Sequence, residues 1–407
     1  LSDVAVCRKK ASMGNVRIAS APDGALLHPS REHHLDAVRA FLMLLGIPFH
    51  AAHPFRDDGQ SWIVLSRDRS LPLTHLMEFL HLFRMQGFFL IAGYFTAMLL
   101  LKRQPAAYLQ SRLVRLLPPL AAGLIVIVPL MNLAADLQTS SDAETAFAFW
   151  ARQLLTMGRE TTGHLWFVIV LIYFSCASAA LALVPSARTY RLDRADSQGA
   201  RFFTLTMIAI GLCVGVYEVA LLKLGPFIPD LLQNPLSLGF SLEYAPYFAL
   251  GALLNRAPEM SEKFNRFSWA VALIALCTAL VAVGAPELPK YTRPVLKAVA
   301  AICLTQTIIA GARSLFHTES RKVRELVDAS FVVYLLHLPI IIATFWLIDA
   351  MPVPYPLRYL ALALAALVVS FAGWAVVKRS PWLLFFMSGV QIKSAKAIAE
   401  PAAQSLR

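Results

Sequence analysis

The sequence predicts an all-α polytopic integral membrane protein with about ten transmembrane helices and both termini in the cytoplasm. Three observations carry that prediction. First, 57% of the 407 residues are hydrophobic and only 15% are charged, with a mean hydropathy of +0.60; a soluble domain is about 25% charged. Second, ten runs of about 18 or more mostly apolar residues follow one another along the chain, each long enough to span a bilayer as a helix. Third, Lys and Arg gather in alternate connections between those runs. A disordered chain, a disulfide scaffold and an ordinary cytosolic enzyme are excluded.

The runs lie near 35–55, 74–101, 116–134, 163–184, 202–224, 237–254, 268–285, 294–312, 328–349 and 357–377. With the N-terminus inside, the inner segments hold 25 of the 37 Lys and Arg, and the outer segments hold 8. Basic residues favour the cytoplasmic side. The organisation is therefore a cytoplasmic tail over 1–34, a transmembrane domain over 35–378 and a cytoplasmic tail over 379–407. The same bias accounts for the net charge of +12, so no nucleic-acid partner is implied. Residues 1–34 contain no apolar stretch of signal-peptide type. Residues 147–160, with Trp150, read as an amphipathic segment on the outer surface. Cys7, Cys176, Cys213, Cys277 and Cys303 show no CxxC spacing and read as buried thiols.

Ionisable groups at membrane depth are costly and are functional candidates for that reason. In the first run, Arg39 and His50 stand 11 positions apart. That spacing returns to within about 20° of one helix face at an axial separation of about 16 Å. Asp36, one turn before Arg39, can pair with it. Pro48 is expected to bend the helix before His50 and to free a carbonyl. The second run carries His75, Glu78, His81 and Arg84 at steps of three, a polar stripe for an interior wall. Glu78 can pair with His81, which lies one turn from Arg84.

Taken alone, these groups fit an interfacial anchor, a satisfied interhelical histidine and an ion-pair ladder as well as a reaction centre. A metal held by Glu78, His81, His50 and His53 is a further alternative. His164 in HLWF and His337 in YLLHLP face either a cavity or a neighbouring helix. Arg112 and Arg115 in SRLVRLLPP fit lipid anchors or a grip on an anionic cytosolic ligand. The chain has no Walker A sequence, GxSxG elbow or HExxH helix, so ATPase, serine-hydrolase and zincin chemistry lack support.

These motifs resemble those of the acyltransferase 3 family of membrane acyltransferases. A basic residue followed after ten residues by histidine is matched by Arg39 and His50. The Arg-x-x-Arg motif is matched by Arg112 and Arg115, and the FF-x-x-(S/A)-G-(Y/F) run by Phe88, Phe89, Gly93 and Tyr94. His164 and His337 match the HLWF and Y-x-x-H-x-P elements. The resemblance spans roughly 33–380. Ala92 stands where family members usually have Ser. Within the family, LMLLGIPFH and FRMQGFFLIAGYF resemble a branch that succinylates osmoregulated periplasmic glucans.

The resemblance implies a bacterial inner-membrane O-acyltransferase. It would carry a succinyl group from cytoplasmic succinyl-CoA, or an acetyl group from acetyl-CoA, to a periplasmic glucan hydroxyl without a metal. On that reading Arg39, Arg112 and Arg115 hold the CoA phosphates. His50 acts as general base, with a covalent acyl-histidine as a variant, and Asp36 and Glu78 accompany it as acids. Arg84, placed by depth within about 10 Å of His50, binds the succinyl carboxylate, with His81, His164 and His337 also at the substrate. The bilayer is the surrounding partner, and a homodimer or contact with glucan-synthesis machinery would extend the set. An O-acetyltransferase of another envelope glycan, a polytopic sugar or proton transporter using the same polar cavity, and a structural membrane protein are the competing readings.

Overall fold

The computed structural model describes residues 32–155, 159–192, 200–233, 236–285, 287–316 and 320–390. Everything below lies in the unit that begins at His33. Residues 1–31 and 391–407, and with them Cys7 and most of both tails, lie outside the described residues.

The longer helices are α1 (His33–Leu44), α2 (Gly46–Ala52), α3 (Leu71–Lys102), α4 (Pro105–Ala122), α5 (Val128–Thr139), α6 (Ala143–Leu155), α7 (Trp166–Leu181) and α8 (Ala200–Leu224). They continue as α9 (Leu238–Arg256), α10 (Pro258–Phe264), α11 (Trp269–Gly284), α12 (Thr292–Leu315), α13 (Arg321–Asp349), α14 (Tyr355–Val377) and α15 (Pro381–Ser388). No strand occurs among the described residues. Eight helical segments among them are long and apolar enough to cross a membrane: His33–Phe55, Leu71–Lys102, Pro105–Thr139, Gly163–Leu181, Arg201–Phe227, Thr292–Leu315, Arg321–Asp349 and Tyr355–Val377. A ninth arises if α10 and α11, bent by 68° at their junction, count as one span. Each of the ten apolar runs forms helix, but α11 has only 16 residues and α9 carries Glu243 and Arg256. Those two features separate eight or nine from the ten that the hydropathy suggests.

Proline sets the irregularities. Pro48 has no N–H to offer the carbonyl of Leu44, and the first span divides into α1 and α2 at Leu45. Bonds from Leu45 N to Phe41 O (3.0 Å) and from Phe49 N to Leu45 O (3.2 Å) carry the axis through the break. Pro54 then ends the span in one 3₁₀ turn.

Glycine sets the tightest packing. α3 and α9 cross where Gly93 and Gly251 face each other's backbone. A Cβ on Gly93 would overlap the Phe248 carbonyl, and one on Gly251 would overlap that of Leu90. Small residues that let helix backbones touch are a principal source of association in lipid. The second glycine of the GFFLIAGYF run, Gly93, is therefore a packing requirement. Gly93→Ala is expected to cost about 1–3 kcal/mol of stability, read as earlier thermal loss of the monodisperse protein in detergent; an unchanged melting profile would refute this.

Three cysteines differ from expectation. Cys176, Cys213 and Cys277 are exposed on the bundle, and among the described cysteines only Cys303 is buried. In a membrane the outer face is itself apolar, so an apolar run does not distinguish a lipid-facing thiol from a core one. Of the segment expected over 147–160, residues 147–155 close α6, with Phe147, Phe149, Leu154 and Leu155 exposed, and residues 156–158 lie outside the described residues. The Trp150 indole donates to the carbonyl of Pro129 (2.8 Å).

Candidate active site

The first HLWF residue is aimed by its neighbours on both sides. Gly163 adopts φ +48°, a left-handed turn that costs a glycine little, and the next residue is His164. Across the bundle, Pro339 in α13 leaves the Leu335 carbonyl without a helical N–H. His164 Nε2 donates to that carbonyl at 3.2 Å, and the Tyr334 hydroxyl donates back to the carbonyl of His164. Two distant motifs are thus joined by two hydrogen bonds, one of them to a carbonyl that Pro339 leaves free of its helical partner.

His337, 1% exposed, donates from Nδ1 to the Tyr334 carbonyl at 2.7 Å. Its Nε2 is buried without a partner. The His50 ring lies 5.2 Å from that of His337 and 5.4 Å from that of His53, and His337 lies 5.8 Å from His164. His50 is half-buried, and its Nδ1 also lacks a hydrogen-bond partner.

Phe49 is the hub beside them. It meets His50 and His53 edge-on at 4.8 and 4.6 Å and stacks on His81 at 5.6 Å. The Arg84 guanidinium lies 4.2 Å from its centroid on the ring face, a cation–π contact. Arg84 is 8% exposed, has an unpartnered Nε, and makes no ion pair within 4 Å among the described residues. A Cβ added to Gly46 would lie 3.1 Å from both Arg84 Nη1 and His337 Nε2. Guanidinium and imidazole therefore converge on one small space beneath His50. Counted along their helices, His50, Arg84 and His337 stand 17, 18 and 16 residues from the same end of the bundle, or about 24–27 Å.

The remaining candidates divide. Arg39 pairs with Asp36 at 3.2 Å and lies over the Phe95 ring at 5.7 Å. Phe95 is 11 residues from Arg84, so the Arg39-to-His50 spacing is repeated on the antiparallel helix beside it. Asp36 is 14 residues from His50, about 21 Å along the axis, and belongs to the Arg39 end. In α4, Tyr108 bonds Thr96 at 3.0 Å, which brings Arg112, one turn on, to that same end. Arg112 Nε is buried and unpartnered, whereas Arg115 is exposed. Glu78 does not pair with His81 or Arg84. Both of its oxygens accept from Arg293 Nη2, at 3.0 and 3.1 Å. Among the described residues no group of three or more His, Cys, Asp or Glu is arranged to hold a metal ion.

A loop over residues 56–70 covers the His50 end. Trp62 lies 4.9 Å from His53. Ser66 donates to Asp349 at 2.6 Å, and Arg358 bridges Asp349 and Asp68. Arg56 donates twice to Asp58, and these bonds hold its carboxyl below the usual range.

The acyltransferase domain that defines the acyltransferase 3 family matches residues 32–375. The chain belongs to the acyltransferase 3 family. It is 30% identical over 322 residues to glucans biosynthesis protein C of Escherichia coli O81 (strain ED1a), covering 76% of this chain and 82% of that protein. The same identity and coverage, over 323 residues, hold for glucans biosynthesis protein C of Escherichia coli (strain K12). No solved structure matches the chain. Its Arg39–His50, Arg112–Arg115, FF, HLWF and YLLHLP elements therefore belong to an acyltransferase 3 domain. The fold joins the phenylalanines to the histidines: Phe88 and Phe89 pack on Phe167 at 4.6 and 5.3 Å, and Phe167 packs on Tyr334 at 5.5 Å.

Sequence reasoning passed over Tyr334, Arg293, Glu218 and Glu243. The two glutamates lie inside apolar runs, and the rule that selected His50 would have selected them.

Proposed function

We propose that the protein transfers a succinyl group from cytoplasmic succinyl-CoA to hydroxyls of an extracytoplasmic glucan across the bacterial inner membrane. The observation that carries this reading is the pairing of two separated centres. Basic groups at one end, Arg39 and Arg112, are about 16 Å from a mid-bundle cluster whose His50 Nδ1, His337 Nε2 and Arg84 Nε all lack partners. Buried polar atoms left without partners are costly, and a substrate that bridges the two ends would satisfy them. The likeness to glucans biosynthesis protein C supports the acceptor, and the excess of Lys and Arg in alternate connections supports a cytoplasmic Arg39 end.

In this account Arg39, Arg112 and Arg115 hold the CoA phosphates by charge-assisted bonds, with Asp36 orienting Arg39. His50 takes the proton from the attacking sugar hydroxyl as its oxygen bonds to the thioester carbonyl carbon. The C–S bond breaks, and His50 returns the proton to the departing thiolate, so no net proton is released. His164 and Tyr334 position His337, whose bare Nε2 lies beside the reacting group. Arg84 binds the terminal carboxylate of the acyl chain.

The test is sidedness. Protein is reconstituted in vesicles with glucan enclosed and succinyl-CoA outside. Free CoA should appear outside only when glucan is inside, and Arg112→Gln should raise the KM for succinyl-CoA about tenfold or more. CoA release only when both substrates share one side would overturn the transmembrane reading.

A further inference from the structure

Beyond His81, toward the end of the bundle where α3 begins, lies a second polar cluster to which the transfer chemistry gives no role. α3 packs against α9 and α12, and α8 packs against α12 and α9, so the four close a ring. Into it project Glu78 from α3, Glu218 from α8, Glu243 from α9, and Arg293 and Lys297 from α12. All five are half-buried, and His81, further in, is exposed. Glu218, Glu243 and Lys297 stand within six residues of the ends of their helices, or about 9 Å. His81 is ten residues into α3, about 15 Å, and stacks on Phe49 beside His50. The cluster thus stands between that end of the bundle and the histidines.

Its chemistry is mixed and incompletely paired. Arg293 holds Glu78, and the Tyr247 hydroxyl donates to Glu218 at 2.8 Å. Lys297 lies one turn from Arg293 on α12, and closes no ion pair within 4 Å among the described residues. One turn from Glu243 on α9, Phe240 stacks on Trp166 at 4.3 Å, both rings half-buried. Three carboxylates against two cations suit neither a polyanion nor a lone metal cation. They offer acceptors and donors together, and the rings offer flat apolar faces. A neutral polyhydroxylated chain matches all three features, because each hydroxyl both donates and accepts.

We propose that this ring of side chains is the acceptor subsite, which takes a neutral glucan and directs one of its hydroxyls past His81 to His50. The assignment rests on the acyl-transfer reading above. The test uses the full-length protein in detergent with succinyl-CoA and a neutral β-glucan, comparing wild type with Glu243→Gln and Lys297→Met. Each variant should raise the KM for glucan about tenfold or more, with the KM for succinyl-CoA within about twofold. Should either fail to fold, Tyr247→Phe, which removes only the hydroxyl on Glu218, serves in its place with the same expected split. An unchanged glucan KM, or a rise in both KM values together, would overturn the subsite. A wild type that acylates no glucan would instead overturn the proposed function on which it rests.

Discussion

His50→Ala should lower acyl transfer by about 10²–10⁴-fold, the range of a general base, while the protein remains folded. Folding should survive because the His50 ring makes no hydrogen bond through Nδ1 and is half-buried. The neighbouring histidines are held from elsewhere: His53 donates to the Phe49 carbonyl at 2.9 Å, and His337 to that of Tyr334. Removing the imidazole therefore breaks no hydrogen bond between helices, in contrast to removing the Tyr334 hydroxyl, which donates to the carbonyl of His164. Transfer and stability should separate, with turnover lost and the melting profile in detergent kept. Turnover within threefold of wild type would remove His50 from the chemistry.

Arg84→Gln should erase the preference for succinyl over acetyl donors. A hydrogen bond to a charged group contributes about 1.5–3 kcal/mol, equal to about ten- to hundredfold in relative kcat/KM. The acetyl group has no carboxylate to engage, so its kcat/KM should change far less. This specificity argument depends on the guanidinium being free for a substrate. Glu78, the acid nearest to it on the polar stripe, is taken by Arg293, and Phe49 holds the guanidinium by its ring face alone. A succinyl preference that survives Arg84→Gln would place carboxylate recognition elsewhere.

The helices were legible because membrane helices follow from apolar length, and the break before His50 because Pro48 cannot donate a hydrogen bond. The Arg39–Asp36 pair was legible because its partners are one turn apart. Contacts between distant segments were not. Glu78 finds Arg293 across 215 residues rather than His81 across three, since a permanently charged guanidinium makes a stronger charge-assisted bond to a carboxylate than a neighbouring imidazole does. His164 reaches Leu335 only because Pro339 frees that carbonyl and Gly163 turns the chain. Each element is visible in the sequence, but their meeting depends on how α13 packs beside the start of α7. The exposure of Cys176, Cys213 and Cys277 was hidden for a different reason, since lipid and protein core select the same apolar neighbours.

The most direct measurement is the mass of the glucan after incubation with purified protein and succinyl-CoA, wild type beside His50→Ala. The account predicts a ladder of added succinyl groups with wild type and unmodified glucan with the variant. Unmodified glucan and intact thioester in both, or the same ladder from the variant, would contradict it.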